Sequence, residues 1–143
     1  MWQFEHSIET RASAEAVWRL YRDVSTWPSW DEGIEAVELH GPFEPGAEGV
    51  LTPVGQEPLP FRVVEATPGR GFADETAAPG VVLRFIHRLL PLDGGGTRIT
   101  HRVEIDGAAA EEVGAQAGPQ ITAGIPDTME SLARHALGKE AHA

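Results

Sequence analysis

His6, His87 and His101 stand in stretches that otherwise read as apolar strands: Trp2-Gln3-Phe4-Glu5-His6-Ser7-Ile8, Phe85-Ile86-His87-Arg88-Leu89 and Ile99-Thr100-His101-Arg102-Val103. Successive side chains of a strand point to opposite faces, so each imidazole shares a face with apolar neighbours two residues away. A buried imidazole needs a hydrogen-bond partner, a water or a ligand. Three of them predict a polar cluster within an apolar cavity. That cluster supports three chemistries. It can be a satisfied core network, the rings bonded to one another, to Tyr21 or to water. It can recognise a ligand, with His87 and His101 as polar fixtures in an apolar pocket. It can perform general acid–base catalysis, because imidazole titrates near neutrality and burial moves its pKa. Recognition and the core network weigh equally, with catalysis behind both. No metal centre is expected, because no carboxylate is clearly directed inward beside the rings.

The candidate carboxylate lies in Phe72-Ala73-Asp74-Glu75-Thr76. Strict alternation puts Asp74 on the Phe72 face, whereas a bulge in the run turns Glu75 inward instead. Glu65, in Phe61-Arg62-Val63-Val64-Glu65, poses the same question, since both faces of that run carry apolar residues. A solvated edge is the plainer expectation for each acid. An inward acid beside the histidines would strengthen catalysis, since titratable groups in different environments divide acid and base roles. Trp18, Trp27 and Trp30 are large apolar groups with one polar handle each. Trp18 is expected in the core, while Trp27 and Trp30 either close the core or line a cavity mouth. Gly94-Gly95-Gly96 is not a phosphate loop: it joins two strands and no Lys-Ser/Thr follows. No serine has a Gly-x-Ser-x-Gly setting.

The chain has 143 residues, the size of one domain, and 41% of them are apolar. Its 22 acidic residues against 11 Lys plus Arg give a formal net charge of −11. That charge opposes nucleic-acid and anionic-membrane partners, both of which need cationic neutralisation of phosphate. The absence of cysteine excludes disulfides, thiolate metal sites and a cysteine nucleophile. No signal peptide is visible at the N-terminus and no apolar run approaches the ~20 residues of a membrane span, so a cytoplasmic location is the default.

The elements that must carry these residues follow from periodicity and punctuation. Residues 2–10 alternate as a strand. Ser13 caps a helix whose apolar face is Val17, Leu20, Tyr21 and Val24, and Pro28 ends any continuous helix near Ser25–Trp27. Between recurrent Gly and Pro breakers lie strand-like runs at 34–40, 48–54, 60–67, 71–77, 81–90 and 97–105, the spacing of an antiparallel meander. The last two runs form a hairpin. For both apolar sets to share a side its loop must hold an odd number of residues. Centred on Gly94, it sets His87 opposite His101, Leu89 opposite Ile99 and Phe85 opposite Val103. Val113, Ala117, Ile121, Ile125, Met129, Leu132 and Ala136 form one stripe on a long helix, kinked at Pro126 and open to a break at Gly118-Pro119. Gly114, Gly118 and Gly124 would leave space beside it for a cavity. Residues 138–143 are expected to fray, and 1–143 to form one domain.

Several stretches resemble the SRPBCC, or START-like, superfamily near its polyketide cyclase/dehydrase-like members. They are Ala12-Ser13-Ala14-Glu15-Ala16-Val17-Trp18, Asp23-Val24-Ser25-Thr26-Trp27-Pro28-Ser29-Trp30, Gly41-Pro42-Phe43 with Pro45-Gly46, and Gly95-Gly96-Thr97-Arg98-Ile99-Thr100-His101. The resemblance implies an α+β helix-grip fold. A curved seven-stranded antiparallel sheet would wrap a long C-terminal helix, with two short helices after strand 1. It also implies that the first strand pairs with the last, which sets His6, His101 and His87 on three adjacent strands facing the cavity. The expected function is binding of a small hydrophobic, ring-containing molecule. Trp27, Trp30, Phe72, Phe85, His87, Leu89, His101, Ile121, Ile125 and Met129 would contact it. The alternatives are a cofactor-independent cyclase or dehydratase using His87 and His101, with Asp74 as a further candidate, and a protein-interaction module with a filled interior. No cofactor is expected, and a homodimer is left open.

Overall fold

The computed structural model describes residues 1–141. The chain begins with β1 (Trp2–Thr10), followed by α1 (Ala14–Arg22), a 3-10 turn (Val24–Thr26) and α2 (Trp27–Trp30). Six strands come next: β2 (Ile34–His40), β3 (Glu48–Pro53), β4 (Leu59–Thr67), β5 (Gly71–Ala78), β6 (Val81–Pro91) and β7 (Thr97–Asp106). The chain then forms α3 (Ala110–Thr122) and α4 (Ile125–Ala141). The seven strands make one antiparallel sheet in the order β1-β7-β6-β5-β4-β3-β2. This is the helix-grip architecture, with the bent C-terminal helix against the concave face.

Ser13 caps α1, its hydroxyl accepting from the Ala16 N–H at 3.1 Å. Ala16, Val17, Trp18, Leu20 and Tyr21 are the residues that α1 buries. The β6–β7 loop runs from Leu92 to Gly96, so its centre is Gly94, and His87 pairs with His101, Leu89 with Ile99 and Phe85 with Val103. Gly94 and Gly95 adopt φ of 93° and 100°, conformations that other residues rarely enter. Because β1 pairs with β7 in register, His6 stands opposite His101. His6, His101, His87 and Phe72 thus form one row across four strands.

The convex face carries charges instead. Arg84 bonds both Glu75 and Glu104, at 2.5 and 3.2 Å, and Arg62 lies 3.6 Å from Glu75. Register places Glu104, Arg84, Glu75 and Arg62 on neighbouring strands, a run of alternating sign that pairs acids and bases across the sheet.

The C-terminal region departs from the single kinked helix expected. The break falls at Ala123-Gly124 rather than at Gly118-Pro119. Pro119 sits inside α3, and Pro126 occupies the first turn of α4, where its missing N–H costs nothing. Nor do Gly114 and Gly118 leave space for a cavity. A Cβ added at either would lie 2.3–2.4 Å from the Trp2 ring, so the indole fills the room that the glycines create. In α3 the fully buried face is Ala110, Gly114, Gly118 and Thr122, while Val113, Ala117 and Ile121 are only half-buried. The expected fraying is also corrected in part: Gly138 to Ala141 are helical, and residues 142–143 lie outside the described residues.

Candidate functional site

A cavity of about 910 Å³ opens between the concave sheet and the junction of α3 with α4. Its floor comes from alternate positions of three adjacent strands: Phe72, Asp74 and Thr76 of β5, Leu83, Phe85 and His87 of β6, and His101 and Val103 of β7. Ile121 and Ile125 face them from the helices, and Trp27 and Trp30 from α2. Both tryptophans are buried, and each satisfies its indole N–H within the protein: Trp27 donates to the Tyr21 carbonyl at 2.9 Å and Trp30 to Thr26 Oγ1 at 3.2 Å. They serve core and cavity wall together. Trp18 packs edge-on against Phe43 in the core.

Two expected contact residues do not border the cavity. Leu89, two pairs beyond His87 toward the hairpin, and Met129 are packed in the main core instead. His6 is half-buried in the histidine row but also stands outside the cavity lining.

The polar groups of the floor differ in how they are satisfied. His101 is 6% exposed, and its Nε2 shares a 2.8 Å hydrogen bond with the Tyr21 hydroxyl. His87 stacks flat on Phe72, with centroids 3.9 Å apart, and meets His101 edge-on at 4.6 Å. Its Nδ1 approaches the Phe72 carbonyl at 3.4 Å. A carbonyl only accepts, so Nδ1 carries the proton and Nε2 is left as an acceptor with no partner among the described residues. Burial pushes the His87 pKa down to about 3, with the Arg88 charge adding to the effect. Burial and the neighbouring imidazoles hold His101 well below its ordinary value, and burial raises the Tyr21 phenol. All three are neutral at physiological pH. Neither cavity histidine is the near-neutral acid–base group expected of an imidazole.

That property belongs to Asp74. The β4–β5 pair does contain a bulge, but it lies in β4 between Val63 and Glu65, so alternation in β5 is unbroken. Asp74 therefore faces inward, 7% exposed, while Glu75 turns out to Arg84 and Arg62. Glu65 also turns out, gripped by Arg88 through two bonds of 2.9 Å. The Asp74 carboxyl has no hydrogen-bond or ion-pair partner among the described residues, and its oxygens open on the cavity rather than being sealed in the core. Desolvation, with repulsion from Glu75, raises its pKa to about 7. Among the described residues no group of His, Asp and Glu is arranged to hold a metal ion.

The periodicity of β6 and β7 extends to Leu83 and Val103, which sequence reasoning could have added to the lining. Asp31, Ile34, Leu51 and Phe61 also border the cavity, and no sequence signal marked them. They reach it through the curvature of the sheet and the path of the chain after α2. No helix of the described residues is long and apolar enough to cross a membrane.

No curated protein sequence matches the chain. Among solved structures, norcoclaurine synthase from Thalictrum flavum, in complex with dopamine and hydroxybenzaldehyde, is similar at 17% identity with a TM-score of 0.74. The match covers 95% of this chain and 86% of that one. A Thermobifida fusca protein is similar at 26% identity and a TM-score of 0.71, covering 94% and 93% of the two chains. A Thermus thermophilus protein is similar at 13% identity and a TM-score of 0.73, covering 96% and 98%. Residues 1–137 match the family described as "Polyketide cyclase / dehydrase and lipid transport", and the chain belongs to that family.

Proposed function

We propose that the protein binds a small hydrophobic, ring-containing molecule in the cavity beneath α3 and α4. The observation that carries this reading is the cavity itself. At about 910 Å³ it falls within the range of ligand pockets, roughly 300–1,000 Å³. Its walls are aromatic and aliphatic, from Trp27, Trp30, Phe72, Phe85, Ile121 and Ile125, and its few buried polar groups converge on one floor. Apolar walls supply affinity, and isolated polar groups fix orientation. An interaction module with a filled interior does not fit this cavity. Norcoclaurine synthase, which shares the fold, is recorded holding two aromatic molecules, in keeping with ring binding.

The test is titration with a neutral bicyclic alcohol, 2-naphthylmethanol, followed by native mass spectrometry and tryptophan fluorescence. Saturable one-to-one uptake is expected, with uptake lost in Ile125→Trp, which fills the cavity. No saturable uptake by the natural chain overturns the reading.

Asp74 favours a second reading, an enzyme of the cyclase or dehydratase type. A carboxylate that ionises near neutrality can take a proton from carbon beside a carbonyl and return it to a departing hydroxyl, releasing water. His87 and His101 would then act as neutral hydrogen-bonding groups. Turnover of a β-hydroxy carbonyl substrate should follow a single ionisation near pH 7 and vanish in Asp74→Asn. Turnover that survives that substitution removes the mechanism.

A further inference from the structure

We propose that the cavity selects a ring-bearing organic cation, a protonated amine, with the Asp74 carboxylate as counter-ion and His87 Nε2 as a second acceptor. This rests on the ring-binding reading and specifies the charge of the ligand. The first support is the polarity of the floor. Asp74 is more than nine-tenths buried, borders the cavity and has no partner among the described residues. A carboxylate left this way beside apolar walls is costly unless water or a ligand in the cavity pairs with it. His87, tied through Nδ1 to the Phe72 carbonyl, offers the cavity a bare acceptor. Asp74 pairs with Phe85, so His87 is its diagonal neighbour on the same face. Such positions lie about 7–8 Å apart, a gap that an ammonium between two side chains spans. An ammonium has three donors and no acceptor, which complements this floor. A carboxylate or phosphate ligand would meet acceptors and a negative charge.

The rim supplies an independent argument of the same sign. Asp31, Glu32, Asp127 and Glu130 border the opening, and none has a cationic partner among the described residues. Two arginines also border the cavity. Arg102 is committed on the convex face to Glu104 and Glu5, which leaves Arg134 as the rim cation. Among the described residues, five carboxylates, Asp74 included, therefore face one guanidinium without an ion-pair partner. The remaining titratable groups around the floor, His87, His101 and Tyr21, are held neutral by burial and add no positive charge.

Three ligands of one shape test this: 2-naphthylmethylamine, 2-naphthylmethanol and 2-naphthoate, titrated calorimetrically into the full chain and into Asp74→Asn. At about pH 8 the amine should bind at least about tenfold more tightly than the alcohol, the gain expected of hydrogen bonds to a charged group, and the naphthoate more weakly than both. Asp74→Asn should abolish the preference, and a cooperative thermal melt of the variant shows that it is folded. An amine no tighter than the alcohol, or a preference that survives Asp74→Asn, overturns the inference and leaves the ring-binding reading intact. Failure of all three ligands overturns both.

Discussion

Asp74 is the residue whose physical chemistry is least explained by folding alone. Its carboxyl rises from 3.8 to about 7 because burial strips it of water and Glu75 repels its charge, so the folded state binds a proton more tightly than the unfolded chain. Stability from this group is complete below the unfolded pKa and is lost as pH rises from about 4 through 7. About three pKa units correspond to about 4 kcal/mol at most. Asp74→Asn should therefore be more stable than the natural chain at pH 8, by several degrees in melting temperature, and equal to it below about pH 4. A melting temperature that falls on substitution at every pH would mean that the carboxyl has a stabilising partner after all. His87 runs in the opposite sense. Its pKa drops from 6.5 to about 3, so the stability it contributes is present above pH 6.5 and lost as pH falls toward 3. His87→Leu should flatten the acid limb of the pH–stability curve, and an unchanged acid limb would show that folding leaves the His87 pKa at its ordinary value. A residue retained at a cost in stability is a functional candidate with a stated physical reason.

At the scale of elements, alternation carried most of the information. Breakers and period-two patterning located all seven strands, and the parity of a five-residue loop set His87 against His101. The inward face of β5 was not legible, because a bulge in either β4 or β5 would reverse one acid or the other, and nothing in the sequence says which strand holds it. The packing of α3 was also hidden. Helical stripes are read from apolar residues, and the buried face here is mainly Ala, Gly and Thr, with the missing volume supplied by Trp2 from the far end of the chain. That arrangement predicts an unusual penalty. Gly118→Ala should gain about 1 kcal/mol of helix propensity, yet its Cβ would fall 2.4 Å from the indole. Overpacking of this kind costs about 1–3 kcal/mol, so net destabilisation is expected in urea unfolding, with recovery in a Trp2→Leu background. A more stable Gly118→Ala would mean that Trp2 does not occupy the groove.

Across the whole molecule, the distribution of charge matters more than its sum. Arg62, Arg84, Arg88, Arg98 and Arg102 are all engaged with carboxylates on the outer face of the sheet. With only 11 Lys plus Arg against 22 acids, much of the acidic excess is left for other surfaces, the cavity rim among them. A pocket mouth lined by one sign of charge focuses the field and raises the local concentration of the opposite ion. Association of a cationic ring compound should then slow as salt is added, because the screening length shrinks from ~10 Å at 0.1 M to ~3 Å at 1 M. Stopped-flow tryptophan fluorescence reads this directly, since Trp27 and Trp30 border the cavity. The association rate of 2-naphthylmethylamine should fall by about tenfold over that range. That of 2-naphthylmethanol, which carries no charge, should hardly change, and neutralising the rim with Asp127→Asn and Glu130→Gln should remove most of the amine's salt dependence. Dissociation, governed by Asp74 within the cavity, should respond less, because a buried pair is screened less than an exposed one. Equal salt slopes for the two ligands would show that the acidic rim takes no part in bringing the ligand to the floor.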